Sequence, residues 1–149
     1  MRQFLSLAFI PLLALSACGK PAVEGVSDAR VQLPAVKGRP GSAYFTLNGG
    51  AADNTLLQVT SPQVVRVELH ESGMKGAMMT MKPLEGGVKV AAGGTVTFEP
   101  GGKHAMLFDI NPAVKVGGKM ALTFSYANGR TIAVDAEVKA AGDGGGHRH

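Results

Sequence analysis

Pairs of turn-forming residues separate short apolar runs along most of this chain. It has 149 residues and 21 glycines, and no long segment has the apolar period of a helix. The turn pairs are Asn48-Gly49, Gly86-Gly87, Gly93-Gly94, Gly101-Gly102, Gly117-Gly118 and Asn128-Gly129. Because such pairs interrupt helices and favour tight turns between strands, the sequence predicts an all-β fold.

Several apolar runs alternate with polar residues, as half-buried strands do. Val65, Val67 and Leu69 are predicted to share the inward face of one strand. The predicted inward faces of the last two strands are Met120, Leu122, Phe124 and Tyr126, then Ile132, Val134, Ala136 and Val138. Further strands are predicted near Ala43–Leu47, Thr55–Thr60, Val88–Ala91, Thr95–Phe98 and Ala105–Ile110. About seven to nine short strands at this spacing favour one antiparallel β-sandwich or small barrel.

The beginning of the chain has the pattern of an export signal. Arg2 precedes the apolar run Phe4–Leu15, which is shorter than the roughly 20 residues of a membrane span. Leu15-Ser16-Ala17-Cys18 resembles a bacterial lipobox, which implies cleavage before Cys18 and lipidation of that residue. An ordinary signal peptide that ends at a cysteine is the alternative. Gly19 favours the outer membrane, so we expect a periplasmic protein held there by its acyl chains.

Composition divides the chain into four segments. Residues 1–17 are the predicted signal peptide, and residues 18–29, which have no apolar period, are a predicted tether. Residues 30–140 form the predicted domain. The glycine-rich residues 141–149 form a predicted flexible tail.

Cysteine use and charge exclude several functions. Cys18 is the only cysteine and lipidation would consume it, which leaves no disulfide, redox pair or thiolate ligand and disfavours a blue-copper carrier. The formal charge of +4 is scattered and aromatic residues are few, so no nucleic-acid surface is predicted. Since no arrangement of nucleophile, base or paired carboxylates is evident, we predict that the protein is not an enzyme.

Histidine and methionine are concentrated in two segments. The first contains His70, Met74, Met78, Met79 and Met81, and its glycines and lysine predict a loop over residues 71–81. Imidazole nitrogen and thioether sulfur form a soft, uncharged ligand set that suits Cu(I). A methionine-rich edge used for packing is the alternative for this segment alone.

The second segment is His104-Ala105-Met106, which follows the turn Pro100-Gly101-Gly102. Side chains of a strand repeat every two residues, so His104 and Met106 share a face, with their Cα atoms about 6.5–7 Å apart. A His-x-Met pair is weak evidence alone, because a single histidine beside a strand is more often a surface residue than a ligand.

Together the two segments resemble the signature of the PCuAC family of periplasmic copper chaperones, which is His-x10-Met, roughly 21 residues, then His-x-Met. Ten residues separate His70 from Met81, and 22 separate Met81 from His104-Ala105-Met106. Other short segments also resemble the family and occur in the same order: Ala43-Tyr44-Phe45-Thr46-Leu47-Asn48, Val67-Glu68-Leu69-His70-Glu71 and Pro100-Gly101-Gly102. The likeness runs from about Ala29 to Val138, and Ala29-Arg30-Val31-Gln32 lacks the family's aromatic residue near the first strand.

This resemblance implies a cupredoxin-like β-sandwich or barrel with a Cu(I) site near its surface. The implied ligands are His70, Met81, His104 and Met106. Met74 and Met79 are less certain ligands, with shielding and packing the preferred roles. His147 and His149 in the tail either bind Cu(II) or are inert.

The expected function is that of an extracytoplasmic Cu(I) chaperone. The family resemblance implies delivery to a thiol-bearing acceptor in the assembly of the cytochrome c oxidase copper centre, with a thiol-disulfide assembly protein as a possible intermediary. Two alternatives stay open. One is a copper-buffering or detoxifying lipoprotein, and the other is a binding or scaffold lipoprotein without metal, because a fold does not dictate function.

Overall fold

The computed structural model describes residues 22–143, and the predicted signal peptide, Cys18, His147 and His149 lie outside this range. Within it the chain forms ten strands and no helix, which confirms the all-β prediction. The strands are β1 (Gly25–Gln32), β2 (Gly41–Asn48), β3 (Asn54–Thr60), β4 (Val64–Lys75), β5 (Met78–Pro83), β6 (Val88–Val90), β7 (Thr95–Phe98), β8 (Lys103–Ile110), β9 (Lys119–Tyr126) and β10 (Thr131–Lys139).

These strands form one sheet in the order β5-β4-β8-β7-β2-β1-β10-β9-β3-β6, with an additional pairing of β8 with β2. Most neighbours are antiparallel, as predicted, but β1 pairs with β10 and β7 with β8 in parallel. No helix among residues 22–143 has the length and hydrophobicity that a membrane crossing requires.

The sheet folds over a single hydrophobic core. The Phe45 ring on β2 stacks on Phe98 of β7 at 4.3 Å and meets the edge of Phe124 on β9 at 4.7 Å between ring centroids. Since β2 and β9 are separated by two strands in the sheet, this contact joins opposite sides of the fold. Burial of a phenylalanine side chain contributes about 1.5–3 kcal/mol to the free energy of unfolding, so this cluster stabilises the packing of the strands against one another.

The alternation of apolar and polar residues predicted the core face of β9 correctly. Met120, Leu122, Phe124 and Tyr126 are all buried. On β10 only Ala136 and Val138 are buried, whereas Ile132 and Val134 are half-buried at the margin of the core.

The prediction that Val65 faces inward is wrong. Val67 and Leu69 pack against the core, but Val65 is exposed and Val64 takes its place. Opposite this position Asp109 has a φ of 54°, a left-handed conformation that is unusual outside glycine. It breaks the alternation of the β4–β8 pair, so Val64 and Ile110 both pack against the core.

The predicted loop over residues 71–81 is a β-hairpin instead. Strand β4 continues through His70 to Lys75, turns at Gly76, and returns as β5, with pairing from His70↔Pro83 to Lys75↔Met78. Gly76 has a φ of 64°, which a tight hairpin turn needs. Most side chains on the outer part of this hairpin are exposed, so no apolar alternation marks it in the sequence.

The predicted tether boundary is also wrong, because β1 begins at Gly25 rather than after residue 29. This strand pairs with β2 and, in parallel, with β10. Its register shifts between Ser27 and Arg30, where Asp28 has a φ of 54°. The resulting bulge interrupts the side-chain alternation that would otherwise have indicated a strand.

Candidate metal centre

Three adjacent strands, β5, β4 and β8, bring the two His/Met segments together. His70 on β4 is directly opposite His104 on β8, and Glu68 is opposite Met106. Met81 on β5 is opposite Ser72, two residues beyond His70. Because opposed residues share a face and a strand repeats every two residues, the four predicted ligands lie on the same face. That face is turned away from the core, which β8 contacts through Ala105 and Leu107.

The two imidazole rings are close enough to bind one ion. Their centroids are 6.0 Å apart with a 40° angle between the ring planes. A ligating imidazole nitrogen lies about 2 Å from its metal, so rings at this separation can flank a single ion.

Exposure is graded across the site. The His104 residue is only 7% exposed and the His70 side chain 15% exposed. Met106 is half-buried, while Met81 on the edge strand is 52% exposed. The centre is therefore closed around its histidines and open on the side of β5.

A hydrogen bond to the backbone fixes the His104 ring. Nδ1 lies 3.0 Å from the Gly102 carbonyl oxygen, and since a carbonyl can only accept, Nδ1 carries the proton and donates. The Nε2 lone pair is then free for a metal. The predicted Pro-Gly-Gly turn supplies the carbonyl: Gly101 has a φ of 82°, and the Gly102 amide donates to Glu99 O at 3.0 Å.

A carboxylate fixes the His70 ring in the opposite tautomer. Nε2 lies 3.1 Å from Oε2 of Glu68, and Arg66 Nε lies 2.7 Å from the other carboxylate oxygen. A carboxylate accepts, so Nε2 donates and Nδ1 carries the lone pair. This Nδ1 is buried and has no hydrogen-bond partner. A buried unpaired acceptor is costly and rare, and coordination of a metal would satisfy it.

Glu68 is a functional candidate that the sequence reasoning did not identify. Metal-ligating histidines commonly donate their second ring N–H to a carboxylate or carbonyl, which orients the ring. Glu68 does this for His70, and Gly102 does it for His104. The available signal was the spacing, because residues 68 and 70 share one face of a strand.

The donor set fits Cu(I) better than a hard cation. It comprises two imidazole nitrogens and two thioether sulfurs, which are soft and neutral. Among the residues that the structure describes, no group of three or more His, Cys, Asp and Glu side chains is arranged to hold a metal. A site at this place therefore depends on its methionines.

The other methionines of the hairpin do not pack against the hydrophobic core. Met74 and Met79 are directly opposite one another on the face that carries Met81, and they are 67% and 75% exposed. Met78 is exposed on the other face, opposite Lys75. The packing role predicted for Met74 and Met79 is therefore wrong for this structure, because neither contacts the core.

Solved structures of PCuAC domains share this fold. The copper-bound PCuAC domain from PmoF2 has a TM-score of 0.64 and 21% identity, and the alignment covers 80% of this chain and 97% of that domain. The Cu(I) form of DR1885 from Deinococcus radiodurans has a TM-score of 0.58 and 27% identity, with 87% and 85% covered. The predicted resemblance to PCuAC domains is confirmed.

A sequence relative carries a lipoprotein name. "Putative lipoprotein Lxx21020" from Leifsonia xyli subsp. xyli (strain CTCB07) is 29% identical over 122 residues, which are 81% of this chain and 73% of the relative. The sequence profile described as "Putative lipoprotein LpqE-like" matches residues 25–138, a range that includes nine complete strands and all four predicted ligands. The chain belongs to the LpqE-like family and has the fold of a PCuAC domain.

Proposed function

We propose that this protein is a Cu(I) chaperone that binds the ion through His70 Nδ1, His104 Nε2 and the sulfurs of Met81 and Met106. The observation that carries the proposal is the pair of opposed histidines, each with one ring nitrogen fixed by a hydrogen bond and the other free. Two of the similar structures are a copper-bound domain and a Cu(I) form, which supports the identity of the metal.

The ligand set suits transfer because it is neutral and accessible from one side. Four uncharged donors leave the ion with its positive charge, and no thiolate of this domain competes for it. Met81 is half-exposed on an edge strand, so an incoming thiolate can approach the ion there while the buried histidines still hold it. The copper is thus cargo that leaves by ligand exchange, and no bond of a substrate is broken.

The acceptor follows from this chemistry and from the family resemblance. A protein with cysteine thiolates binds Cu(I) more strongly than thioethers do, so copper moves towards it. We propose that the acceptor is the copper centre of cytochrome c oxidase or a thiol-disulfide assembly protein that serves it. Lipidation of Cys18 would hold the chaperone at the periplasmic side of a bacterial membrane, preferably the outer one, and the lipoprotein description of the family supports an anchor.

Copper titration in the presence of a competing Cu(I) chelator tests the site. The reduced wild-type protein should retain one equivalent against the chelator, and the double variant His104→Ala/Met106→Ala should lose it. Met78→Ala is the matched control, because Met78 is exposed on the opposite face of the hairpin and should bind as the wild type does. Undiminished binding by the double variant would contradict the proposal.

Transfer requires a separate experiment. The copper-loaded protein is mixed with a purified acceptor domain that contains a Cys pair, and copper is measured in both after separation. A chaperone should lose its copper within minutes, faster than an equal concentration of free chelator can remove it. If copper stays with this protein in the presence of excess acceptor, buffering rather than delivery is its function.

A further inference from the structure

The outer part of the β4–β5 hairpin carries methionines that folding does not explain. Met74 and Met79 are 67% and 75% exposed on an edge of the sheet, so they gain little from burial. Their backbones are directly opposite each other, which places their Cβ atoms about 4.5–5.5 Å apart on one face. Two long thioether side chains rooted at this separation can meet at a single ion.

The chemistry around this pair selects a soft cation. Methionine has three rotatable bonds and a polarizable sulfur, so both sulfurs can reach a shared position without a change of the backbone. Glu71, Lys75 and Lys82 lie on the opposite face of the hairpin, because side chains alternate along each strand. Glu71 is moreover paired with Lys103 at 2.6 Å. The face that carries Met74 and Met79 therefore has no carboxylate on the paired part of the hairpin, which disfavours Mg²⁺ or Ca²⁺, whereas neutral sulfur accepts Cu(I).

The pair is the outer end of a continuous series of soft ligands. Met81 follows Met79 on the same face of β5, with their roots about 6.5–7 Å apart. Beyond Met81 are the rings of His70 and His104. Exposure falls along this series, from 75% at Met79 to 52% at Met81 and 7% at His104.

We propose that Met74 and Met79 form a second, weaker Cu(I) site through which copper passes on its way to and from the four-ligand centre. The proposal rests on the proposed function, since it supplies that centre with a route for its cargo. Two thioethers hold Cu(I) less tightly than two imidazoles with two thioethers do, so the ion moves inward on loading. An acceptor thiolate that contacts the hairpin can take the ion from the outer pair.

Copper stoichiometry measured against two chelators of different strength tests the second site. Against the weak chelator the wild type should retain two equivalents of Cu(I), and against the strong chelator one. Met74→Leu/Met79→Leu keeps the apolar surface but removes both sulfurs, so it should lose the second equivalent and keep the first. The control Met78→Leu should retain both equivalents. A second equivalent that persists in the Met74/Met79 double variant would overturn the proposal.

Methionine methyl NMR distinguishes an outer site from a role in the main centre. With ε-methyl labelling, the first equivalent of Cu(I) should shift the Met81 and Met106 signals, and the second equivalent should shift Met74 and Met79. Met74 and Met79 signals that move with the first equivalent, or with neither, would overturn the proposal.

Failure of the two proposals can be told apart. His104→Ala/Met106→Ala should lose the tightly held ion but still show the Met74 and Met79 shifts against the weak chelator. A wild type that lacks the tight ion and retains these shifts contradicts only the four-ligand chaperone centre. If the tight ion is present and the shifts are absent, only the outer site is contradicted. Leucine at both positions should also slow copper loading; an unchanged loading rate contradicts the route.

Discussion

At the scale of single residues, the tautomers of His70 and His104 determine which ring nitrogens are available to the proposed centre. Each histidine has two ring nitrogens, and the partner of one determines which lone pair the other presents. Gly102 fixes His104 through Nδ1, whereas Glu68 fixes His70 through Nε2. The two rings therefore keep a free lone pair on different nitrogens, Nδ1 of His70 and Nε2 of His104, which the residue types alone do not reveal.

Replacement of Glu68 tests this positioning role. Glu68→Ala removes the acceptor of His70 Nε2–H, so the ring loses its preferred tautomer, and Cu(I) affinity should fall about 10–100-fold. Glu68→Gln keeps an oxygen acceptor and should restore most of the affinity. The measurements are chelator competition and the nitrogen-15 signals of the His70 ring. Equal affinities in the wild type and the Ala variant would show that Glu68 does not position the ligand.

A buried tyrosine gives the fold a dependence on alkaline pH. Desolvation by burial, together with the charge of Glu24, raises the pKa of Tyr126 to about 12, and Arg130 partly opposes the shift. The folded pKa lies above the ordinary value of 10.0. The folded state thus favours the neutral phenol, and this stabilisation is complete below pH 10 and is lost as the pH rises from 10 to about 12.

Tyr126→Phe should remove this part of the pH dependence. The free energy of unfolding of the wild type should fall more steeply between pH 10 and 12 than that of the variant, as measured by denaturant titration at several pH values. Parallel curves for the two proteins over that range would contradict the assignment.

At the scale of elements, alternation predicted the strands that have one buried face and missed those that do not. The β9 face and the turn before His104 were predicted from the sequence. The β4–β5 hairpin was mistaken for a loop because its outer part is exposed on both faces. Strand β1 was not predicted because the bulge at Asp28 interrupts its side-chain alternation. The inward position predicted for Val65 was wrong because the alternation of buried and exposed residues breaks opposite Asp109. No local sequence signal marks these conformations, because a positive φ is unusual outside glycine.

Part of the candidate site could be predicted from the sequence and part could not. The positions of His70, Met81, His104 and Met106 on one face agree with the spacing and the family signature, although their role in binding stays a prediction. The opposed pair Met74 and Met79 could not be predicted, because its geometry depends on the register of an unrecognised hairpin.

Two glycines with similar backbone angles provide a matched test of strand packing. Gly87, before β6, has a φ of 89°, and Gly129 in the β9–β10 turn has a φ of 85°. A Cβ at Gly87 would collide with the Leu56 carbonyl oxygen on β3, whereas a Cβ at Gly129 would meet nothing.

Both alanine substitutions incur backbone strain, but only one adds a collision. Gly129→Ala should cost about 1–2 kcal/mol in the free energy of unfolding. Gly87→Ala should cost at least about 1–3 kcal/mol more, because β3 and β6 must separate. Chemical denaturation of both variants gives the comparison, and equal losses would contradict the close approach of Gly87 to β3.

At the scale of the whole molecule, the fold builds the centre from segments that are distant in the chain. The histidines are 34 residues apart and become neighbours only because β8 pairs with β4. The phenylalanine cluster on the other side of the sheet holds β2, β7 and β9 together and so supports this pairing. The four proposed ligands consequently come together only in the folded state.

Copper should therefore stabilise the folded protein. A ligand present at 100 times its dissociation constant adds about 2.7 kcal/mol to the free energy of unfolding when the unfolded chain does not bind it. Thermal unfolding of the reduced protein should shift to a higher Tm with Cu(I), and His104→Ala/Met106→Ala should show little shift. A similar shift in both proteins would place the stabilising ion elsewhere.

In the proposed centre one Cu(I) joins His70 Nδ1 to His104 Nε2 across β4 and β8. Nitrogen-15 NMR of the histidine rings, recorded before and after one equivalent of Cu(I), detects these two bonds. Both nitrogens should shift while His70 Nε2 and His104 Nδ1 keep their protons. Ring signals that do not change while the protein retains its copper would contradict the proposed centre.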